Sequence, residues 1–235
     1  MRLGKQLSML VSDLRSECGI SQVEANNIQA TGSQVALLQQ TQQRLYDDHE
    51  WPHLRVRRPL ALVSGQRFYE PPADISIERI EGIDVLLFGS EEPYRLKEGV
   101  ELRHMARCNS NRGETDWPPR RWRFSEDYQI ELWPVPTAAG AEDMPLVEVV
   151  GIRKLGKFVD MQDRASIDGR LITLFAAAEL LAATDKDLAS MKLAQAQKRL
   201  STLRGQEMRP RTFSMFGDRH AERCAPRRTH VREYR

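Results

Sequence analysis

His49, Glu50 and His53, in the pentapeptide HEWPH, have the residue types and spacing of a zinc metalloprotease helix. In that chemistry two histidines one helical turn apart ligate the metal, and the glutamate activates a metal-bound water. Both ligands must then stand on one face of a continuous helix. Pro52 lies inside the pentapeptide. Its ring would clash with the carbonyl of Asp48, it has no amide hydrogen to offer, and it turns Trp51 away from helical angles. The pattern therefore predicts a helix that stops near Glu50, with the two histidines in different conformations. His104, His220 and His230 fall at irregular distances and complete no third-ligand pattern.

A second segment, GIRKLGKF at 151–158, opens like a phosphate-binding loop. The position that should carry a magnesium-binding Ser or Thr is Phe158, and helical periodicity resumes only after Ser166. The segment reads instead as a strand ending in a glycine-rich turn. No Ser/His/Asp or Cys/His arrangement stands out, and nothing selects a catalytic pair among the 33 acids. No catalytic residue, metal or other cofactor is expected. Cys18, Cys108 and Cys224 are odd in number and far apart, which suits neither a disulfide framework nor a zinc site. Unpaired thiols fit a reducing compartment.

At 235 residues, 40% hydrophobic and 29% charged, the chain has the composition of a soluble globular protein with a real core. It has no apolar run of about 18 residues, so no membrane partner is expected. The opening MRLGKQLSMLVSDLRSE carries acids and one-faced apolar spacing, unlike a signal peptide, and points to synthesis in the cytosol. The net charge of +2 is unevenly spread. Residues 204–235 hold nine arginines and four acids, or +5, and the other 203 residues carry −3.

Leu3, Leu7, Leu10 and Leu14 form one stripe of a first helix ended by Cys18–Gly19. Residues 19–32 read as a polar loop, and Ser33 as the N-cap of a second helix. Its inner face is Val35, Leu38 and Leu45, interrupted by Gln42. From about 54 to 154, short alternating stretches broken by Pro and Gly read as antiparallel strands. Ile130 and Leu132 face a core while Gln129 and Glu131 face solvent; 146–151 is apolar on both faces; a short helix falls at 100–107; and TDWPPRRWRF is a loop entering a strand. Ile167, Leu171, Leu174, Ala178 and Leu181, then Leu193, Ala196, Leu200 and Leu203, mark an antiparallel helical pair, the second helix capped by Thr184–Asp185. Periodicity ends at Gly205.

The fold class is therefore α+β: a helical bundle of two N-terminal and two C-terminal helices, an inserted antiparallel β-rich subdomain and an extended C-terminal arm. The parts are an N-terminal helical part at 1–52, a β-rich subdomain at 53–155, a C-terminal helical pair at 156–205 packing on the N-terminal helices, and an arginine-rich arm at 206–235. Pro52 stops the second helix, and the Trp51 indole covers the corner where helices meet sheet.

Four stretches carry a family resemblance. RLYDDHEWPHL is similar to the L…YDWPFL stretch of bacteriophage head-to-tail adaptor proteins of the tail tubular protein A type. SGQRFYEPPADISIERIEGI resembles their strand–turn–strand segment, IELWPVPTAAG their LWPTP strand end, and DRASIDGRLITLFAAAELLAATDKDLASMKLAQAQKRLSTLRG their terminal helical pair. Tyr46, Trp51, Pro52, Trp133, Pro134 and Pro136 are the structural signature positions. His49–Glu50 lengthens the acidic step before the tryptophan, and 103–120 matches none of the family's stretches.

The resemblance implies a non-enzymatic virion protein of the head–tail neck, assembled in the host cytoplasm. In that family twelve copies form a ring beneath a dodecameric portal, extending the DNA channel and offering the tail a platform. The implied partners are the portal protein, a downstream tail or nozzle protein and further copies of the chain, with DNA passing through without sequence-specific binding. The helices would make the ring wall and the β-rich part would face the tail. In the arm, Arg209, Arg211, Arg227 and Arg228 with Phe213, Met215, Phe216 and Tyr234 are residue types enriched at binding hot spots. The expectation is an arm disordered in the free monomer that folds against the portal, its arginines pairing with portal carboxylates; the other readings are a solubilising tail and contact with packaged DNA. The alternative function is a nucleic-acid-binding protein that uses this tail, although the body carries no recognisable DNA-binding motif.

Overall fold

Leu7, Leu10, Val11 and Leu14 are all buried, and their spacing lays helix α1 (Leu7–Glu17) along the core. The computed structural model describes residues 4–20, 28–87, 92–137 and 146–207. Leu3 of the expected stripe, and residues 208–235 of the expected arm, lie outside them, while Gln206 and Glu207, expected in the arm, are helical. Gly19 follows the Cys18 C-cap with φ +67°, a left-handed turn that ends the helix at little steric cost.

Helix α2 (Ile28–Asp48) starts earlier than expected, so Ser33 is no N-cap but an interior residue. The reason is tertiary. Arg15 of α1 is buried, and its Nε donates to Gln34 Oε1 at 3.0 Å and its Nη2 to Thr31 Oγ1 at 2.6 Å. Side chains that favour a loop in isolation are thereby held in a helix. Two residues of α2, Leu38 and Leu45, are buried as expected, with Val35 packed beside them.

Helix α3 (Leu102–Met105) is a single turn inside the β-rich region. Helix α4 (Gly169–Leu181) is capped by Asp168, whose Oδ1 accepts from Leu171 N, and α5 (Lys186–Glu207) by Asp185, whose Oδ1 accepts from Leu188 N. One apolar cluster joins residues of α1, α2, α4 and α5 to Leu54 and Ile152. Ala189, Ala196 and Leu203, seven residues apart, are the buried stripe of α5. Leu193 departs from the expected inner face and remains 40% exposed. Small side chains at the α4–α5 seam, including Ala178 and Ala189, bring the helices close and leave Leu193 at the edge.

The strands are β1 (Arg55–Pro59), β2 (Phe68–Tyr69), β3 (Ile75–Leu86), β4 (Tyr94–Arg95) and β5 (Lys97–Glu98), followed by β6 (Thr115–Asp116), β7 (Arg121–Phe124), β8 (Ile130–Trp133), β9 (Val135–Pro136) and β10 (Leu146–Arg153). They form an antiparallel sheet of order β1-β10-β3-β4, a sheet of order β2-β8-β7-β5, and the pair β6-β9. Thr115–Asp116, expected as loop, is thus a short strand. Antiparallel pairing dominates as expected, but β5–β7 and β6–β9 run parallel. Both are two-residue pairings whose partners come from different parts of the chain, so no tight hairpin dictates their direction.

A second apolar cluster lies between the sheets and includes Ile83, Val85, Trp122, Ile130, Leu132, Val147 and Val149. Val150 is also buried, so β10 is covered on both faces. Glu131 corrects the alternating expectation for β8. It is 1% exposed, with Arg67 on Oε1 and Arg123 on Oε2, because the paired arginines neutralise a carboxylate the apolar pattern would place in water.

The register slips on either side of Gly151, where β10 approaches β3. A Cβ there would stand 2.8 Å from the Arg79 carbonyl oxygen and 2.8 Å from Ile75 Cγ2. Backbone cannot give way as a flexible side chain can. Gly151→Ala is expected to cost about 2–3 kcal/mol of unfolding free energy through overpacking, read as a lower urea midpoint with unchanged m-value.

Candidate functional site

Helix α2 ends at Asp48, and Trp51 leaves helical angles before a 3-10 turn at Pro52–Leu54. His49 and His53 therefore do not share a helical face; their rings lie 4.8 and 6.0 Å from the Trp51 ring. His53 Nε2 donates to the Ser166 carbonyl at 2.9 Å. Among the described residues no group of three or more His, Cys, Asp or Glu side chains is placed to hold a metal. Trp51 is 1% exposed and its Nε1 donates to Leu45 O at 2.9 Å, so the indole closes the end of α2.

The same helix end is tied to the large sheet. Arg79 of β3 donates to the carbonyls of Tyr46 and Asp47 at 2.9 and 3.1 Å, and its guanidinium lies 4.4 Å from the centre of the Tyr46 ring. A cation on the last carbonyls of a helix meets its negative end. Tyr46 OH donates to Arg153 O of β10 at 3.1 Å. The Gly-Lys segment is held from the other side. Gln42, fully buried, donates to Gly156 O at 3.1 Å and accepts from Ser166 N at 3.2 Å, and Gln39 accepts from Phe158 N at 2.9 Å. Gln42, read as an interruption of an apolar stripe, is thus the clamp between α2 and the segment that leads to α4. The break in the pattern was the only local trace of it.

Trp133, Pro134 and Pro136 sit together at the far end of β8, all buried. Trp133 Nε1 donates to Cys108 O at 3.0 Å, and the Trp133–Pro134 and Trp117–Pro118 peptides are cis. Tyr46, Trp51 and Pro52 lie instead at the helix–sheet corner, so the six signature positions fall in two groups. Residues 209–234 of the arm lie outside the described residues.

Two clefts of opposite charge open near these groups. One, of about 420 Å³, lies at the helix–sheet corner between Asp47, Asp48 and Glu50 and the β3 residues Glu78 and Glu81. The other, of about 370 Å³, is lined by Arg95, Lys97, Arg107, Arg120 and Arg121 together with His104, Tyr94 and Trp133, and by no carboxylate. Tyr94 OH donates to Pro119 O at 2.7 Å, and burial pushes its pKa up to about 12. A third, apolar groove runs between Arg44, Phe175, Ala178 and Leu193. The basic cleft has no sequence signature, because its cations come from separate elements and form no local run.

His104 anchors that cleft. Its Nδ1 accepts from Glu101 N at 2.9 Å and its ring lies 5.4 Å from Trp133. Partial desolvation, then the charges of Arg121 and Arg103, hold its pKa below the ordinary 6.5.

The class this geometry defines is a mixed α+β scaffold: a helical layer bolted to sheets by buried polar clamps, with charged and apolar surfaces outside. Residues 10–218 match the SU10 adaptor protein family, and the chain belongs to it, a phage head-to-tail adaptor family and a structural rather than an enzymatic class. No curated protein matches the chain. Among the described residues no helix is long and apolar enough to cross a membrane.

Gln42→Leu leaves Gly156 O and Ser166 N without their buried partner and should cost about 1–3 kcal/mol, measured by denaturant unfolding. His104 should titrate in NMR with a midpoint below 6.5. Its folded pKa is depressed, so its stabilising contribution is complete above 6.5 and is lost as pH falls through the folded value. His104→Ala should remove that component of the pH dependence of stability.

Proposed function

We propose that this chain is the head-to-tail adaptor of a phage virion. On this reading, twelve copies form a ring beneath the portal, extend the DNA channel and present the platform to which the tail attaches. The observation that carries it is the family match over residues 10–218, which spans the helical elements, the sheets and the start of the arm. The clamped join between helices and sheets supports it, since a ring wall that bears load needs layers that do not slide. The virion neck is the location this role requires, with assembly in the host cytoplasm, and the tail-side neighbour is a tail or nozzle protein.

The arginine-rich arm, expected at 206–235, is the portal-docking element, with Phe213, Met215, Phe216 and Tyr234 as anchors and Arg209, Arg211, Arg227 and Arg228 pairing with portal carboxylates. Charge-assisted arginine pairs around aromatic anchors concentrate binding energy in few residues. The −3 charge of the remainder suits a channel through which phosphates slide.

Electron-microscope images of the chain mixed with portal should contain a ring stacked coaxially on the portal, absent from either protein alone. A chain truncated after Glu207 should melt at the same temperature as the full chain and lose portal binding at least about tenfold, a loss of about 1.4 kcal/mol or more. Unchanged portal affinity after truncation rejects the docking role of the arm, and the absence of any coaxial ring rejects the adaptor reading.

A further inference from the structure

The two charged clefts hold more charge than the chain itself uses. In the basic cleft Arg95 pairs with Asp84, and Arg121 donates to Gly99 O. Lys97, Arg107 and Arg120 are exposed and enter no ion pair or side-chain hydrogen bond among the described residues. In the acidic cleft Glu81 pairs with Arg55, and Arg79 is spent on helix carbonyls. Asp48, Glu50 and Glu78 are exposed and equally without a partner. Among the described residues, three cations of one cleft and three carboxylates of the other are thus left without a partner.

They cannot neutralise each other within that chain. β3 runs past both clefts, with Glu78 at the acidic one and Asp84, beside Arg95, at the basic one. Six residues of strand hold the two about 20 Å apart. Like charges gathered in a concave surface repel one another, so each cleft gains from an opposite surface brought from outside.

We propose that the basic cleft of one copy receives the acidic cleft of the next, so that the two form the unlike halves of one subunit–subunit contact. This rests on the ring reading above, in which every copy must offer two different and complementary faces. Two observations favour a second copy over nucleic acid. The matching carboxylates are on the same chain, in equal number. Leu102, on the same helical turn as the cleft residue His104, is 89% exposed, and an exposed apolar side chain serves a protein neighbour rather than a phosphate backbone. Charge complementarity of this kind fixes register and excludes wrong partners.

The test is charge reversal in the full-length chain, imaged with portal. One variant carries Lys97→Glu, Arg107→Glu and Arg120→Glu; a second carries Asp48→Lys, Glu50→Lys and Glu78→Lys. Each alone should lower the fraction of ring-bearing portals at least tenfold, with melting temperatures close to that of the original chain. Mixed one to one, they should form rings again, because alternating copies meet with opposite charges at every contact. A chain carrying all six changes should also form rings. Rings from either variant alone overturn the proposal and leave the adaptor reading standing. So does failure of both the mixture and the six-change chain; duplex binding lost only with the cation reversal would then identify a phosphate backbone as the occupant. An original chain that forms no ring on portal takes the adaptor reading down first.

Discussion

A helix that ends against a sheet must find partners for its last carbonyls, because buried ones left unpaired cost more than most single contacts return. In this chain that requirement falls on the end of α2. Pro52 forbids another turn, and the freed groups are taken up from both sides. Trp51 Nε1 reaches back to Leu45 O, and Arg79 of β3 takes Tyr46 O and Asp47 O. The corner is then fixed in place by Tyr46 OH on Arg153 O. The position of the acidic cleft follows from this. Asp47, Asp48 and Glu50 stand where they do because the helix stops there, and Glu78 and Glu81 because Arg79 must lie between them on β3.

The helical layer is held by the same principle of paired polar groups among small apolar ones. Asp168 is 1% exposed, caps α4 through Leu171 N, and takes Arg199 of α5 on its other oxygen at 2.8 Å. Glu17 of α1 receives both Arg170 and Lys192. Burial alone would raise the Glu17 pKa; the hydrogen bonds from Lys192 and Arg170 outweigh it and hold the carboxyl below 4.5. These ties link α1, α4 and α5 where alanine packing offers little area. Buried ion pairs are weak sources of stability but strong constraints on register.

What the sequence made legible was whatever is decided within a few residues. Pro52 ends a helix by its own ring, so the stop of α2 inside the HEWPH segment could be read without a structure. The stripe of α1, the Asp185 cap and the apolar character of β10 are local in the same sense. Ser33 misled because Arg15, eighteen residues away in sequence, holds Thr31 and Gln34 inside a helix. Glu131 misled because Arg67 and Arg123 bury its charge. The basic cleft left no trace at all. Arg95, Lys97 and Arg121 come from β4, β5 and β7, Arg120 precedes β7 and Arg107 follows α3, and the parallel β5–β7 pairing brings Lys97 beside Arg121.

Rigidity and assembly are then two aspects of one arrangement. A body whose layers are clamped cannot gain affinity by reshaping itself, so its association energy must come from surfaces already formed and from any segment that orders on contact. Exposed charge is poorly suited to supply that energy, because solvent screens it over about 10 Å at moderate salt. It is well suited to steer encounter and to reject misaligned neighbours. Apolar and aromatic groups have the opposite strengths, carrying energy with little long-range direction. On the proposed reading, clefts on the body would set the angle between subunits and aromatic anchors on the arm would supply the hold. Separating the two lets weak, self-correcting contacts choose the geometry before strong ones make it permanent.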